Sequence, residues 1–155
     1  MDFGIAGKLA IVTGASRGLG RAMSEALGLE GCTLMIVARG QKDLEETVSI
    51  LEKSDCGKLV FDCYDLRRAV DIDSFVRNTE KSLGPIEIVV NNAGGGPYAG
   101  IDDPDSSWQE AFELNLMAAV RISRLVIPGM RERQWGRIIN ISSIWGREVG
   151  GALSY

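Results

Sequence analysis

The octapeptide Thr13-Gly14-Ala15-Ser16-Arg17-Gly18-Leu19-Gly20 follows the apolar run Leu9-Ala10-Ile11-Val12 and opens a helical pattern. That combination can grip a pyrophosphate. Gly14 permits a sharp turn at a strand end, Gly18 lets the backbone approach a phosphate, and Gly20 lets the helix settle close on a sheet. Ala15, Ser16, Arg17 and Leu19 fill the turn, where free N–H groups and the positive helix end face an anion. Alone, the segment fits a plain glycine-rich strand-to-helix turn equally well. Its glycine spacing, three residues and then one, departs from the one-then-two spacing of most dinucleotide folds.

A second group bears on which nucleotide would bind. The second apolar run ends Val37-Ala38-Arg39, where an NAD site would carry an acid for the ribose hydroxyls. A carboxylate would repel the 2′-phosphate of NADP, whereas Arg39 can bind it through charge-assisted hydrogen bonds. Arg17 can approach the same phosphate. Either arginine alone reads as a solvated surface charge; together, and without the acid, they point to NADP(H).

Further along, Asn91-Asn92-Ala93-Gly94 places small residues after a strand, which suits a backbone passing close to a flat ring. Asn side chains there can also tie strands together. Asn115 falls inside a long helical pattern although Asn is a poor helix former, and by itself it reads as an exposed polar residue. Ser142-Ser143 closes the last strand-like run, and Tyr155 follows twelve residues after Ser143. A hydroxyl at a strand's carboxyl end can polarise a carbonyl, and a phenol can donate a proton to its oxygen as hydride reaches carbon.

Composition narrows the alternatives. The chain has 155 residues, enough for one domain with a real core, and it reads as a single unit over residues 1–155. Apolar content of 45% and charged content of 25% are ordinary for a globular domain. A net charge of −4 argues against a nucleic-acid surface. No apolar stretch is long enough for a membrane span, and no signal peptide is evident, so a cytoplasmic location is expected. Cys32, Cys56 and Cys63 lack metal-like spacing, and the absence of histidine removes His-based triads and His-ligated zinc; no metal is expected.

The elements that must position these groups alternate. Strand-like runs at 8–13, 33–38, 58–63, 86–90 and 137–142 are separated by helical patterns at 18–29, 41–53, 70–82 and 106–134. This predicts an α/β fold, a Rossmann-type doubly wound parallel sheet of order 3-2-1-4-5. Ser107 and Glu110 suggest a capping box at the start of the long helix, and Pro128 a kink or break within it. Right-handed crossovers put the first two helices on one face and the next two on the other, leaving the first face bare under strands four and five.

Jointly, these motifs make the chain resemble the short-chain dehydrogenase/reductase family from Lys8 to Tyr155, most of all its 3-oxoacyl-carrier-protein reductase-type members. The glycine turn, Asp65-Leu66, Asn91–Gly94, Asn115, and Ser143 with Tyr155 stand in the family's order. The resemblance implies that Asp65 contacts the adenine amino group, with Leu66 beside it. It implies that Asn92, Ala93 and Gly94 line the nicotinamide side and that Asn115 holds a water in a proton relay. Ser143 would bind the substrate oxygen, and Tyr155, also at the cofactor, would be the general acid/base. Ser142 has the family's usual spacing from the tyrosine, while alignment on Gly146 favours Ser143; both stay open.

The family carries a lysine one helical turn after the tyrosine, followed by two more strands and a substrate lid, and this sequence ends at Tyr155. The expectation is an incomplete domain, lacking the family's C-terminal strands, of an NADP-dependent oxidoreductase that interconverts a small-molecule carbonyl and a secondary alcohol. At full length it would be a homo-oligomer, a dimer or tetramer, with the long helix at the interface. The alternative is a non-catalytic nucleotide-binding fragment of such an enzyme.

Overall fold

A computed structural model describes residues 2–54, 56–95 and 101–143. Its elements are β1 (Leu9–Thr13), α1 (Gly18–Leu29), β2 (Thr33–Ala38), α2 (Gln41–Leu51), β3 (Leu59–Cys63), α3 (Ala69–Leu83) and β4 (Ile88–Asn91). These are followed by α4 (Asp105–Phe112), a π-helical turn (Glu113–Met117), α5 (Ala118–Glu132) and β5 (Arg137–Asn140). The strands form one parallel sheet of order β3-β2-β1-β4-β5, as the sequence predicts.

Alternation along the strands sorts their side chains into two cores. Ile11, Met35, Val37 and Val89 face α3 and α5, meeting Ile72, Phe75, Ile122 and Val126. Ala10, Val12, Leu34, Ile36, Ile88 and Val90 face the other way, onto Leu44 and Leu51 of α2 and Met23 and Leu27 of α1. A strand buried on both faces must be apolar on consecutive residues, and β1, β2 and β4 are.

Three local expectations need correction. The helix after β4 begins at Asp105 with Pro104 as its N-cap and no side-chain cap, so Ser107 and Glu110 lie inside it. Pro supplies a pre-set φ but no side-chain acceptor, and the Ser107 amide instead donates to the Pro104 carbonyl at 2.9 Å. Pro128 does not break α5, which continues to Glu132; the helix buries Ile122, Val126 and Met130 on one stripe, and that packing spans the proline. Finally, β4 is buried throughout, with Trp135 packed on the side expected to be bare. Exposure is confined to β5, where Ile139 is 45% accessible.

Candidate functional site

At the carboxyl ends of β1, β2 and β4 the chain forms a cleft of about 230 Å³. Its floor is organised by Thr13, which is 1% exposed. The Thr13 hydroxyl donates to the Val90 carbonyl at 3.3 Å and accepts from the amides of Asn92 and Ala93, both at 2.9 Å. The Asn92 amide group returns the tie, donating to the carbonyls of Thr13 at 3.0 Å and Gly14 at 3.2 Å. The glycine turn and the turn after β4 are thereby fixed edge to edge.

Two glycines serve different geometric ends. Gly20 lies against the turn so closely that a Cβ there would meet the Gly14 carbonyl and approach Asn92 Nδ2 to 2.6 Å. Gly18 has φ +56 and no protein atom within 4 Å of where its Cβ would be, so the space beside it is open to a ligand. Helix α1 starts there with no side-chain cap and no acid in its first turn. Uncapped first-turn amides at a positive helix end suit a phosphate, and the donor set fits the pyrophosphate of a dinucleotide. The turn is braced from behind: Arg21 Nη2 donates to the Ser16 carbonyl at 3.0 Å and Thr47 Oγ1 donates to the same oxygen at 2.8 Å.

Arg17, Ala38 and Arg39 line this cleft with Gly14, Ser16, Ala93, Gly94 and Leu66. Among the described residues neither arginine has an ion-pair partner, so both charges are available to an anion. Tyr64, Asp43 and Leu114 also line the cleft and were not legible as site residues, since nothing in their spacing marks them. Leu19 is 68% exposed on the turn.

Asp65 stands between Tyr64 and Leu66, yet its carboxylate meets Arg67. Nε of Arg67 donates to Oδ1 at 2.9 Å and Nη2 to Oδ2 at 2.6 Å, and the Arg67 amide adds a 3.1 Å bond to Oδ1. The hydrogen bond from Arg67 holds the Asp65 carboxyl below the usual carboxylate range, and the Arg39 charge contributes in the same sense. Arg67 Nη1 reaches on to Glu110 of α4 at 2.9 Å.

Asn115 falls in the π-helical turn, a departure from α geometry that recurs at functional positions and was not foreseen. Its side chain brackets Gly95, accepting from the Gly95 amide at 2.9 Å and donating to the Gly95 carbonyl at 3.0 Å, and it donates to the Ala111 carbonyl at 2.9 Å. Asn91 Nδ2 donates to Asn140 Oδ1 at 2.8 Å, tying β4 to β5 as expected for asparagines at strand ends. Ser142 and Ser143 are exposed just beyond β5. Tyr155, with Gly146, lies outside the described residues. Among those described no acidic or cysteine cluster has metal-ligand geometry, and no helix is long and apolar enough to cross a membrane.

Comparison with known proteins bears on this geometry. A family profile described as short chain dehydrogenase matches residues 8–155. The ketoacyl reductase HetN of a Nostoc strain is 36% identical over 147 residues, which are 93% of this chain and 50% of HetN. D-beta-hydroxybutyrate dehydrogenase of Cupriavidus necator is 33% identical, matching 90% of this chain and 54% of its own. L-sorbose reductase from Gluconobacter frateurii, solved with NADPH and L-sorbose, superposes with a TM-score of 0.87 at 39% identity, covering 93% of this chain and 55% of its own. A metagenomic short-chain oxidoreductase in complex with NADP gives a TM-score of 0.89 at 31% identity, covering 96% and 68%. The chain thus spans about half the length of the curated relatives it matches.

Proposed function

The chain belongs to the short-chain dehydrogenase/reductase family, and on that premise we propose that the protein binds NADP(H) and interconverts a carbonyl and a secondary alcohol on a small molecule. The observation that carries the reading is the cleft in which Arg17 and Arg39, with Ala38, replace the acid an NAD site would need. The NADPH and NADP bound to two of its structural relatives support it.

Bound NADPH supplies hydride chemistry; the chain's residues supply position and protons. Arg39 and Arg17 hold the 2′-phosphate, and the amides of Gly18 to Gly20 face the pyrophosphate. Asp65 accepts from the adenine amino group beside Leu66. Asn92, Ala93 and Gly94 bound the nicotinamide side, and Asn115 holds a water for proton relay. Ser143 donates to the substrate oxygen, with Ser142 the lesser candidate. The phenol of Tyr155 protonates that oxygen in reduction and removes the proton in oxidation. The exposed Phe112 and Leu116 of the long helix support a homo-oligomer at full length. Cys32, Cys56 and Cys63 form no disulfide among the described residues, which fits a reducing cytoplasm.

Fluorescence titration of the full-length protein tests the cofactor assignment. NADPH binds more tightly than NADH, and Ala38→Asp with Arg39→Leu reverses the order. Loss of one charge-assisted phosphate contact costs about ten- to a hundredfold in affinity. A wild-type preference for NADH overturns the reading.

A further inference from the structure

The geometry points to Arg67 as the positioning residue for adenine recognition: its guanidinium aims the Asp65 carboxylate and leaves that carboxylate one open acceptor site. This rests on the NADP(H) reading and goes beyond it, because it names what makes Asp65 selective.

An ionised carboxylate offers about four lone-pair sites. Three N–H groups of Arg67 occupy Asp65: the backbone amide on Oδ1 at 3.1 Å, Nε on Oδ1 at 2.9 Å with a weaker leg to Oδ2 at 3.1 Å, and Nη2 on Oδ2 at 2.6 Å. The remaining site is on Oδ2. One amino hydrogen of adenine needs one such site. A fork of this kind fixes the plane of the carboxylate as well as its charge, which a lysine would not do.

The fork is itself anchored. Arg67 Nη1 bonds Glu110 Oε2 at 2.9 Å, which ties the loop after β3 to α4. The Asp65 amide donates to Asp71 Oδ2 at 3.2 Å, securing the backbone on the other side. Tyr64 and Leu66, the neighbours of Asp65, line the cleft, so the carboxylate sits at its rim. Asp65 and Arg67 side chains are 24% and 32% exposed, sheltered enough for geometry to matter and open enough for a base to reach them.

Deamino-NADP provides the probe. It carries a carbonyl oxygen where adenine carries its amino group, so it meets the Asp65 carboxylate as a second acceptor. We expect the full-length wild type to bind NADP about ten- to a hundredfold more tightly than deamino-NADP. Arg67→Met brings the two dissociation constants to within about threefold of each other, mainly by weakening NADP. Arg67→Lys restores part of the ratio. Glu110→Gln, on a half-exposed side chain, lowers the ratio less than Arg67→Met and guards against a folding defect.

A merely structural role for Arg67 would weaken both ligands equally and keep the ratio, overturning the proposal. Tighter NADP binding by Arg67→Met would mean that the guanidinium competes with adenine, which also overturns it. Equal affinity of the wild type for both ligands removes the Asp65 contact itself, while the absence of NADP binding refutes the cofactor reading beneath it.

Discussion

Thr13 shows how a single buried hydroxyl can set the shape of a binding cleft. Its oxygen accepts two amides of the turn after β4, and no other residue at the end of β1 carries an acceptor in that place. Thr13→Val keeps the volume but strands both amides, at about 1–3 kcal/mol for each group left unpaired. Urea unfolding should show that loss and NADPH binding should weaken, while Thr13→Ser retains most of both. Tyr155 makes the opposite prediction. Tyr155→Phe should lower carbonyl reduction by the full-length protein about 10²–10⁴-fold and leave NADPH affinity nearly unchanged. With no histidine in the chain, nothing substitutes for the phenol. Rate loss greater for Ser142→Ala than for Ser143→Ala would transfer the oxygen-binding role to Ser142. The Asp65–Arg67 pair adds a pH dependence of fixed sign. The folded carboxyl is held below its unfolded value of about 3.9, so the pair's contribution is complete above that pH and is lost as pH falls through the lowered folded value. The stability difference between wild type and Arg67→Met should therefore be flat near neutrality and shrink below about pH 4. A difference that grows on acidification contradicts the pairing.

At the scale of elements, the glycine turn separates packing from binding. Gly20→Ala forces a methyl against the Gly14 carbonyl and Asn92, which are backbone and a pinned side chain, so overpacking of about 1–3 kcal/mol or more is expected. Gly18→Ala meets no atom and costs about 1–2 kcal/mol for a left-handed φ. Its methyl nevertheless occupies the side open to the ligand. Thermal melting should rank Gly20→Ala as the less stable, while Gly18→Ala should lose NADPH affinity out of proportion to its stability. The glycines were legible because their roles are local, set by a turn and a helix start. The sheet order was legible for a related reason: consecutive apolar runs alternating with helical patterns admit few right-handed arrangements. Asn115 was legible only through resemblance. Its π-helical turn depends on how Glu113–Met117 meets the loop at Gly95, and helical periodicity carries no sign of that. Arg67 escaped notice for the same reason, since its partner Glu110 is 43 residues away. The capping box at Ser107 failed because Pro104 starts the helix earlier, a competition between two start signals that spacing alone does not decide.

Over the whole molecule, two apolar surfaces stand uncovered among the described residues. Phe112 and Leu116, one turn apart, are 52% and 48% exposed. Ile139 and Ile141 are 45% and 38% exposed along β5, which pairs with β4 on one side only. An edge strand with an apolar face is a template for pairing with another chain, and ordinary monomers do not leave such strips open. Residues 1–155 expressed alone should therefore self-associate, with sedimentation showing species heavier than the 16.8 kDa monomer. Ile139→Lys places a charge on the open face of β5 without touching the cleft, and it should shift the population toward monomer. If Phe112→Glu with Leu116→Glu does so instead, the helical face is the site of association. A wild-type fragment that sediments as a monomer and melts cooperatively would show that the described core suffices to bury what the fold needs, and would overturn the argument from both surfaces.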